Sequence, residues 1–188
     1  MINFKNRFNE QYKNNPKLFG EKPIPLVKKV LNFINKGKVL ELGVGNGRNT
    51  LFLLANSFEV TGVDMSEEGV KILKGRAGEN PNLNLIVSNV LKFETTEKFD
   101  LILAIGLLHF LKKDQIDFLI KKMKGWTASG GLNVVATKMA QNFRQDLPHI
   151  FSQNELKNYY QDGDWLIEKY EEIERRKGKI ASLIARKL

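Results

Sequence analysis

The chain has 188 residues, no cysteine and a formal net charge of +9. This length fits one domain with a full hydrophobic core, and the hydrophobic content of 42% is ordinary for a globular protein. The absence of cysteine excludes disulfides, thiolate metal sites and a cysteine nucleophile. We predict no metal site. We expect a cytoplasmic protein, because the N-terminus has no apolar segment of signal-peptide length and no apolar run is long enough to span a bilayer.

The positive charge permits two interpretations. One is a nucleic-acid or membrane-surface partner, and the other is a solvated, lysine-rich surface. Lysine pairs at 28–29, 112–113 and 121–122 fall on the polar faces of candidate helices and are not interleaved with aromatic residues. A nucleic-acid partner therefore stays open but is not favoured, no membrane partner is expected, and the oligomeric state is undecided.

The N-terminal segment has aromatic residues at helical spacing. Phe4, Phe8 and Tyr12 are four residues apart, which places them on one face of a helix over residues 3–15. This face either packs on the core or contributes aromatic side chains to a pocket, in which case residues 1–22 form a lid. Pro25 begins an amphipathic helix that we expect to extend to residue 35.

From residue 38 onward, apolar strands alternate with helices. We predict strands at 38–42, 59–64, 84–87, 99–104 and 132–136, and helices at 48–56, 66–78 and 114–126. Such alternation indicates a parallel sheet covered by helices on both faces. A capping-box sequence beginning at Ser152 predicts a short helix through Tyr160. Strands at 165–173 and 180–185, around a polar turn at 175–179, are predicted to form an antiparallel hairpin.

The glycine-rich turn after the first strand is the most informative motif. Glu41, Gly43, Gly45 and Gly47 are each two residues apart, which differs from the Gly-x-Gly-x-x-Gly pattern of dinucleotide-binding proteins. Asp64 ends the second strand, where an acid can accept hydrogen bonds from ribose hydroxyls. The motif therefore favours a nucleoside-containing cofactor other than a nicotinamide dinucleotide.

Two further stretches extend this site. Asn89 and Val90 follow the third strand, where an amide can bind an adenine edge and an aliphatic side chain can cover the ring. The fourth strand leads into Ile105 and His109, and we expect its end to lie beside the first strand, at the switch point where ligands bind in such sheets. His109 either orients or deprotonates a nucleophile, or simply packs beside the next helix.

Together these motifs resemble the class I S-adenosyl-L-methionine (SAM)-dependent methyltransferases over roughly residues 10–187, and most closely the tellurite-resistance and related small-molecule methyltransferases. The resemblance implies an α/β fold: a Rossmann-like, doubly wound, mostly parallel seven-stranded sheet with a C-terminal antiparallel hairpin and helices on both faces. One departure is Asn89, since an aspartate is common at that position. The resemblance implies the following cofactor-binding residues: Glu41, Gly43, Val44, Gly45, Asn46, Gly47, Asn49, Asp64, Met65, Asn89, Val90 and Ile105.

The methyl acceptor is less clearly indicated. The resemblance implies methyl transfer from SAM, with S-adenosyl-L-homocysteine as product, to a small molecule such as a soft sulfur, selenium or tellurium nucleophile or oxyanion. An RNA or protein methyltransferase and a non-catalytic SAM-binding module remain alternatives. His109 is the candidate catalytic residue. The turn at 175–179 is basic, and it is either an ordinary exposed turn or an anion-binding site. The candidate substrate-binding residues are Tyr12, Phe19, His109, Phe143, Arg175 and Arg176.

Overall fold

The computed structural model describes residues 3–139, 147–175 and 178–188, with the side chain of Arg175 excepted. The chain forms two compact units, Met1–Glu94 and Thr95–Leu188. The sequence predicted one domain for residues 1–188, and we describe each unit by itself.

The first unit contains three parallel strands in the order β3-β2-β1, each preceded or followed by helices. Pairing of Leu42 with Val63 and of Asp64 with Val87 brings the carboxyl ends of the three strands to one edge. The elements are α1 (Phe4–Asn14), α2 (Pro25–Lys29), β1 (Gly37–Leu42), α3 (Arg48–Leu54), β2 (Phe58–Asp64), α4 (Glu67–Ala77) and β3 (Leu83–Val87).

The second unit contains four strands in the order β4-β5-β7-β6. β4 and β5 are parallel, whereas β7 runs antiparallel to both β5 and β6, which confirms the predicted C-terminal hairpin. The elements are β4 (Phe99–Ile105), α5 (Lys113–Trp126), β5 (Thr127–Lys138), α6 (Glu155–Asn158), β6 (Trp165–Arg175) and β7 (Gly178–Lys187). The described residues therefore contain the seven strands that the sequence predicted.

Several predicted boundaries were wrong. The helix predicted to reach residue 35 ends at Lys29 and continues as one 3₁₀ turn over Val30–Asn32. The hairpin strands are longer than expected, since β6 extends to Arg175 and β7 begins at Gly178, both within the turn predicted at 175–179. β5 is also longer than expected, because it begins directly where α5 ends.

The capping box predicted at Ser152 does not begin a helix there. α6 begins at Glu155, and its N-cap is Asn154 in a left-handed conformation with φ of 60°. The Glu155 carboxylate nevertheless accepts hydrogen bonds from the Ser152 amide and hydroxyl, at 2.9 and 3.1 Å. The predicted pairing therefore forms, but it stabilises the turn that precedes the helix.

Candidate cofactor site

The glycine-rich turn joins β1 to α3 through backbone conformations that favour glycine. Gly43, Gly45 and Gly47 have φ values of 79°, 54° and 82°. The Gly43 amide donates to the Val63 carbonyl at 2.7 Å, which ties the turn to the end of β2. The turn thus depends on residues that tolerate positive φ.

Two of these glycines also make room for the protein's own side chains. A Cβ atom at Gly45 would lie 2.4 Å from the hydroxyl oxygen of Tyr12, and one at Gly47 would lie 2.1 Å from Cδ1 of Leu73. Residues of α1 and α4 are therefore packed against these two glycines.

Asp64 lies at the carboxyl end of β2 and joins the glycine turn to α4. Its two carboxylate oxygens accept the amides of Gly45 and Ser66, each at 2.8 Å. Burial raises the pKa of Asp64, and hydrogen bonds from backbone amides partly offset that rise. The residue keeps a partly exposed surface. The Met65 amide also donates to this carboxylate, which leaves one of its four lone pairs to accept a hydrogen bond from a ligand's hydroxyl group.

Glu41 fixes the beginning of α3 from inside the first unit. It is 1% exposed, and its oxygens accept the Asn49 amide at 3.2 Å and the Thr50 hydroxyl at 2.6 Å. Burial raises the pKa of Glu41 to about 7, against the effect of these hydrogen bonds. Both partners are neutral, so the carboxylate is stabilised by hydrogen bonds and not by a direct ion pair.

The polar side chains of the turn hold the segment that follows α1. Asn46 donates to the carbonyls of Pro16 and Gly20 at 3.1 and 2.9 Å, and it is 2% exposed. Asn49 accepts the Ile24 amide at 3.2 Å. Two residues predicted to bind the cofactor therefore use their side chains to anchor residues 16–24.

Arg48 also holds the segment that follows α1, and Phe19 of that segment packs against aromatic residues of the helix. Arg48 donates to the Phe19 carbonyl at 2.5 Å. The Phe19 ring lies 6.0 Å from the Tyr12 ring in an edge-to-face arrangement and 6.4 Å from the Phe8 ring, and the side chain is 44% exposed. Phe19 is therefore held in place while it presents an apolar surface to solvent.

Helix α1 lies against the turn and the beginning of α4. Tyr12 is 3% exposed, and its hydroxyl oxygen accepts a hydrogen bond from the Asn46 backbone amide. Burial raises the pKa of Tyr12, with the Asp64 charge adding to the rise. Asn9 accepts hydrogen bonds from the Ser66 hydroxyl at 2.8 Å and the Glu68 amide at 3.3 Å. Of the aromatic face predicted for this helix, Tyr12 packs in the core. Phe19, in the segment after the helix, has the exposure expected of a pocket residue.

The remaining predicted cofactor residues of the first unit differ in how far their side chains are available to a ligand. Val44 packs with Val70 and Leu73, so its side chain belongs to the core. The side-chain oxygen of Asn89 accepts the Leu91 amide at 2.9 Å, and Val90 is buried. The Asn89 oxygen that we expected to bind adenine is thus already used once, within a local turn. Met65 is partly exposed beside Asp64.

In the second unit, Ile105 ends β4 and His109 lies in the 3₁₀ turn that follows. His109 is 3% exposed, and its Nδ1 lies 3.4 Å from the Thr137 hydroxyl on β5. Burial and the nearby Lys138 charge lower the pKa of His109 to about 3. The imidazole is therefore neutral at physiological pH, and it is a poor base for taking a proton near neutral pH.

The other substrate candidates receive less support. Phe143 and Arg176 lie outside the described residues, and Arg175 ends β6 with a side chain that is likewise outside them. Lys179, in the predicted basic turn, is paired with Glu172 at 2.9 Å. Sequence reasoning missed Asn9, Arg48 and Thr137, and no local pattern marks them, because their partners are far away in the chain.

Comparison with known proteins shows the family of this chain. The model of the family described as "Tellurite resistance protein TehB" matches residues 2–179. The chain belongs to the TehB family. A curated member, the probable S-adenosyl-L-methionine-dependent methyltransferase TehB of Haemophilus influenzae, is 32% identical over 170 residues, 82% of this chain and 58% of that protein. The chain thus spans little more than half the length of that relative.

Solved structures confirm the predicted fold class, an α/β fold of the methyltransferase type with seven strands. The crystal structure of TehB from H. influenzae has a TM-score of 0.81 at 28% identity, covering 98% of this chain and 67% of that chain. The N-methyltransferase NodS of Bradyrhizobium japonicum, crystallised with S-adenosyl-L-homocysteine, has a TM-score of 0.84 at 17% identity and covers 99% of both chains. At such low identity, NodS supports the fold alone. In the part of the chain described here, no helix is long and apolar enough to cross a membrane.

Proposed function

We propose that this TehB-family protein is a SAM-dependent methyltransferase, a cytoplasmic enzyme that acts on a small-molecule acceptor. The observation that carries the proposal is the junction of β1 and β2, where the Gly45 amide and the Asp64 carboxylate meet at the carboxyl ends of parallel strands. Ligands bind at this edge in open α/β sheets. The name of the H. influenzae relative and the S-adenosyl-L-homocysteine bound to NodS support the same cofactor.

The residues of the first unit fit such a cofactor. Asp64 is partly exposed and has one lone pair left for a ribose hydroxyl, and the positive-φ glycines bring backbone close to the same edge. After β3, the Asn89 oxygen has a second lone pair for an adenine edge, while Val90 is buried and offers little surface to the ring. The side chains of Asn46, Asn49 and Val44 are used within the protein, so we assign these residues backbone contacts and a supporting role.

The chain's own contribution to the reaction is positioning. Bound SAM supplies a methyl group on a sulfonium, and transfer is an in-line displacement in which the C–S electron pair leaves on sulfur. Soft nucleophiles need little help from a base in such a step. His109 is the predicted catalytic residue, and its lowered pKa makes it unsuited to act as a general base. A reaction that needs little help from a base agrees with this property. Residues 3–22 form the described part of a lid, held on the glycine turn through Asn46, Arg48 and Tyr12.

A small acceptor is favoured over RNA by how the charge is distributed. Although the net charge is +9, lysines on several elements are paired with carboxylates, including Lys17 with Glu21, Lys124 with Asp162 and Lys179 with Glu172. Paired lysines contribute less to the counterion release that drives nucleic-acid binding. Within the small molecules, the family description names tellurite resistance, and we extend the acceptor class from a tellurium oxyanion to soft sulfur and selenium nucleophiles and oxyanions.

The test begins with calorimetric titration of SAM, S-adenosylhomocysteine and NADH. We expect the first two to bind and NADH to give no heat, and the opposite result would refute the proposal. Methyl-labelled SAM is then incubated with thiols, selenite, tellurite and total RNA. Transfer to a small acceptor supports the proposal, transfer only to RNA or protein refutes the acceptor class, and tight SAM binding without any transfer indicates a binding module.

A further inference from the structure

The glycine turn contains the one Asn-Gly dipeptide of the chain, Asn46–Gly47. An asparagine before glycine is prone to deamidation, because glycine has no Cβ that would keep its amide nitrogen away from the preceding side chain. Gly47 has a φ of 82°, and a Cβ atom there would lie 2.1 Å from Cδ1 of Leu73. The turn therefore requires this glycine, and any protection of Asn46 from deamidation has to come from packing.

In the structure, both groups that would react are engaged in hydrogen bonds. Asn46 is 2% exposed, and its side-chain amide donates to the Pro16 and Gly20 carbonyls at 3.1 and 2.9 Å. The Gly47 backbone amide, which would attack Cγ of Asn46, donates to the Val44 carbonyl at 3.0 Å. Ring closure requires the Asn46 side chain to rotate away from its two carbonyl partners. Deamidation therefore depends on movement of the segment that carries these carbonyls.

That segment, residues 13–22, is held by few buried contacts. All of its residues are exposed except Leu18, which is half-buried. The ion pair between Lys17 and Glu21, at 2.8 Å, lies on the surface, where such pairs stabilise a structure little. Segments with few buried apolar contacts open locally at a small cost in free energy. We therefore expect residues 13–22 to open while the strands of the first unit stay folded.

We propose that Asn46 is a deamidation site that residues 13–22 cover, and that its modification releases this segment from the glycine turn. The Gly47 nitrogen loses its proton to hydroxide and bonds to Cγ of Asn46, while the side-chain nitrogen takes a proton from water and leaves as ammonia. Water then adds to one carbonyl carbon of the cyclic imide and opens the ring to aspartate or isoaspartate. Overall, one water is consumed, one ammonia is released and nothing is oxidised. This chemistry needs only the first unit and water, so it is independent of SAM.

The product alters the contact that holds the segment. A carboxylate at position 46 has no hydrogen to donate, so it cannot bond to the Pro16 and Gly20 carbonyls and instead repels their oxygen atoms. In isoaspartate, the backbone also passes through the former side chain, which lengthens the turn by one methylene group. Both products therefore remove the two hydrogen bonds that join the turn to the segment.

Peptide mapping by mass spectrometry measures the modification. Trypsin releases residues 39–48, in which Asn46 is the only side-chain amide, so an exchange of NH₂ for OH in this peptide is assigned to one residue. The protein is incubated at neutral pH, either folded or unfolded in guanidinium chloride. We expect Asn46 to deamidate at least about tenfold more slowly in the folded protein, because only the open fraction reacts. Equal rates would refute the protection, and a folded protein that stays unmodified over many unfolded-state half-lives would refute the site.

Two variants distinguish opening of the segment from unfolding of the whole unit. Phe19→Ala removes a ring that packs 6.0 Å from the Tyr12 ring and 6.4 Å from the Phe8 ring, so it should loosen the segment and raise the folded-state rate about three- to tenfold. Phe58→Leu is the matched control, because it alters a fully buried residue at the end of β2 far from the glycine turn. It should leave the rate within about twofold of wild type. An unchanged rate in Phe19→Ala, or a larger increase in Phe58→Leu, would refute local opening.

The effect of the modification is tested with the product itself. Asn46→Asp should speed amide exchange over residues 16–24 by about tenfold or more, as expected for loss of one or more hydrogen bonds. Asn56→Asp adds the same charge where only a local bond to Phe52 is lost, and it should leave exchange in that segment unchanged. Wild-type exchange in Asn46→Asp would refute release of the segment. None of these measurements involves SAM, so their failure would leave the proposed function intact.

Discussion

The buried Glu41 gives the first unit a pH-dependent stability that a single substitution should remove. In Glu41→Gln, the new carbonyl can accept the Asn49 amide and the new amide can donate to the Thr50 hydroxyl, so both contacts of the carboxylate have a replacement. The side-chain volume is almost unchanged. The substitution therefore removes the ionisable group and little else.

The magnitude follows from the pKa of Glu41, which burial raises from 4.5 to about 7. Between these values the unfolded chain has lost the proton and the folded chain keeps it, so stability falls as pH rises. A pKa difference of about 2.5 corresponds to about 3 kcal/mol, since each pKa unit is worth roughly 1.36 kcal/mol. His109 opposes this trend in the wild-type protein, because its pKa is lowered from 6.5 to about 3 and its contribution therefore rises with pH.

The experiment measures the free energy of unfolding by urea, for wild type and Glu41→Gln, from pH 4.5 to 8. Subtracting one curve from the other cancels the contribution of His109. We expect the wild-type protein to lose about 3 kcal/mol relative to the variant between pH 4.5 and 8, with the difference levelling off at about pH 8, one unit above the folded-state pKa. Both tryptophans, Trp126 and Trp165, lie in the second unit, so far-UV circular dichroism and amide exchange in β1 should report the transition. A difference that is flat or rises with pH would refute the assignment.

Three further predictions concern the glycine turn. Asp64→Ala should weaken SAM binding at least tenfold by calorimetry, since the acid organises the Gly45 and Ser66 amides, whereas the exposed Glu59→Ala on the same strand should have no effect. Gly45→Ala should destabilise the protein by about 1–3 kcal/mol, because the new methyl group contacts Tyr12. Adding Tyr12→Phe to this variant should recover part of the lost stability. Gly75→Ala is the control, since the space around its Cβ position is open. Asn46→Ala should speed amide exchange over residues 16–24, unlike Asn56→Ala, which removes only a local bond to Phe52; equal exchange in both variants would contradict the anchoring role.

Local patterns predicted the strands, the hairpin and the glycine turn because each depends on neighbouring residues. The alternation of strands and helices and the positive-φ glycines are properties of segments a few residues long. The contacts that complete the site are not local. Asn9 binds Ser66 from 57 positions away and Arg48 binds Phe19 from 29 positions away, and neither residue stands out in the sequence. Strand lengths were underestimated for a similar reason, since pairing between β6 and β7 extends both strands beyond their apolar residues.

Asn46 and Asn49 were assigned to the cofactor on the basis of their positions in the motif, because the distant partners of their side chains cannot be read from the sequence. In the structure their side chains hold residues 16–24, and the Gly45 position receives the Tyr12 hydroxyl. The turn therefore has two kinds of contact: its side chains hold the N-terminal segment, while Gly45 packs beside Tyr12 and donates its amide to Asp64. A ligand that moves the turn toward α1 must also move Tyr12, because its hydroxyl fills the space where a side chain of residue 45 would lie. Binding at the turn and the position of the N-terminal segment are thus physically coupled, and SAM should slow amide exchange in α1 as well as in the turn.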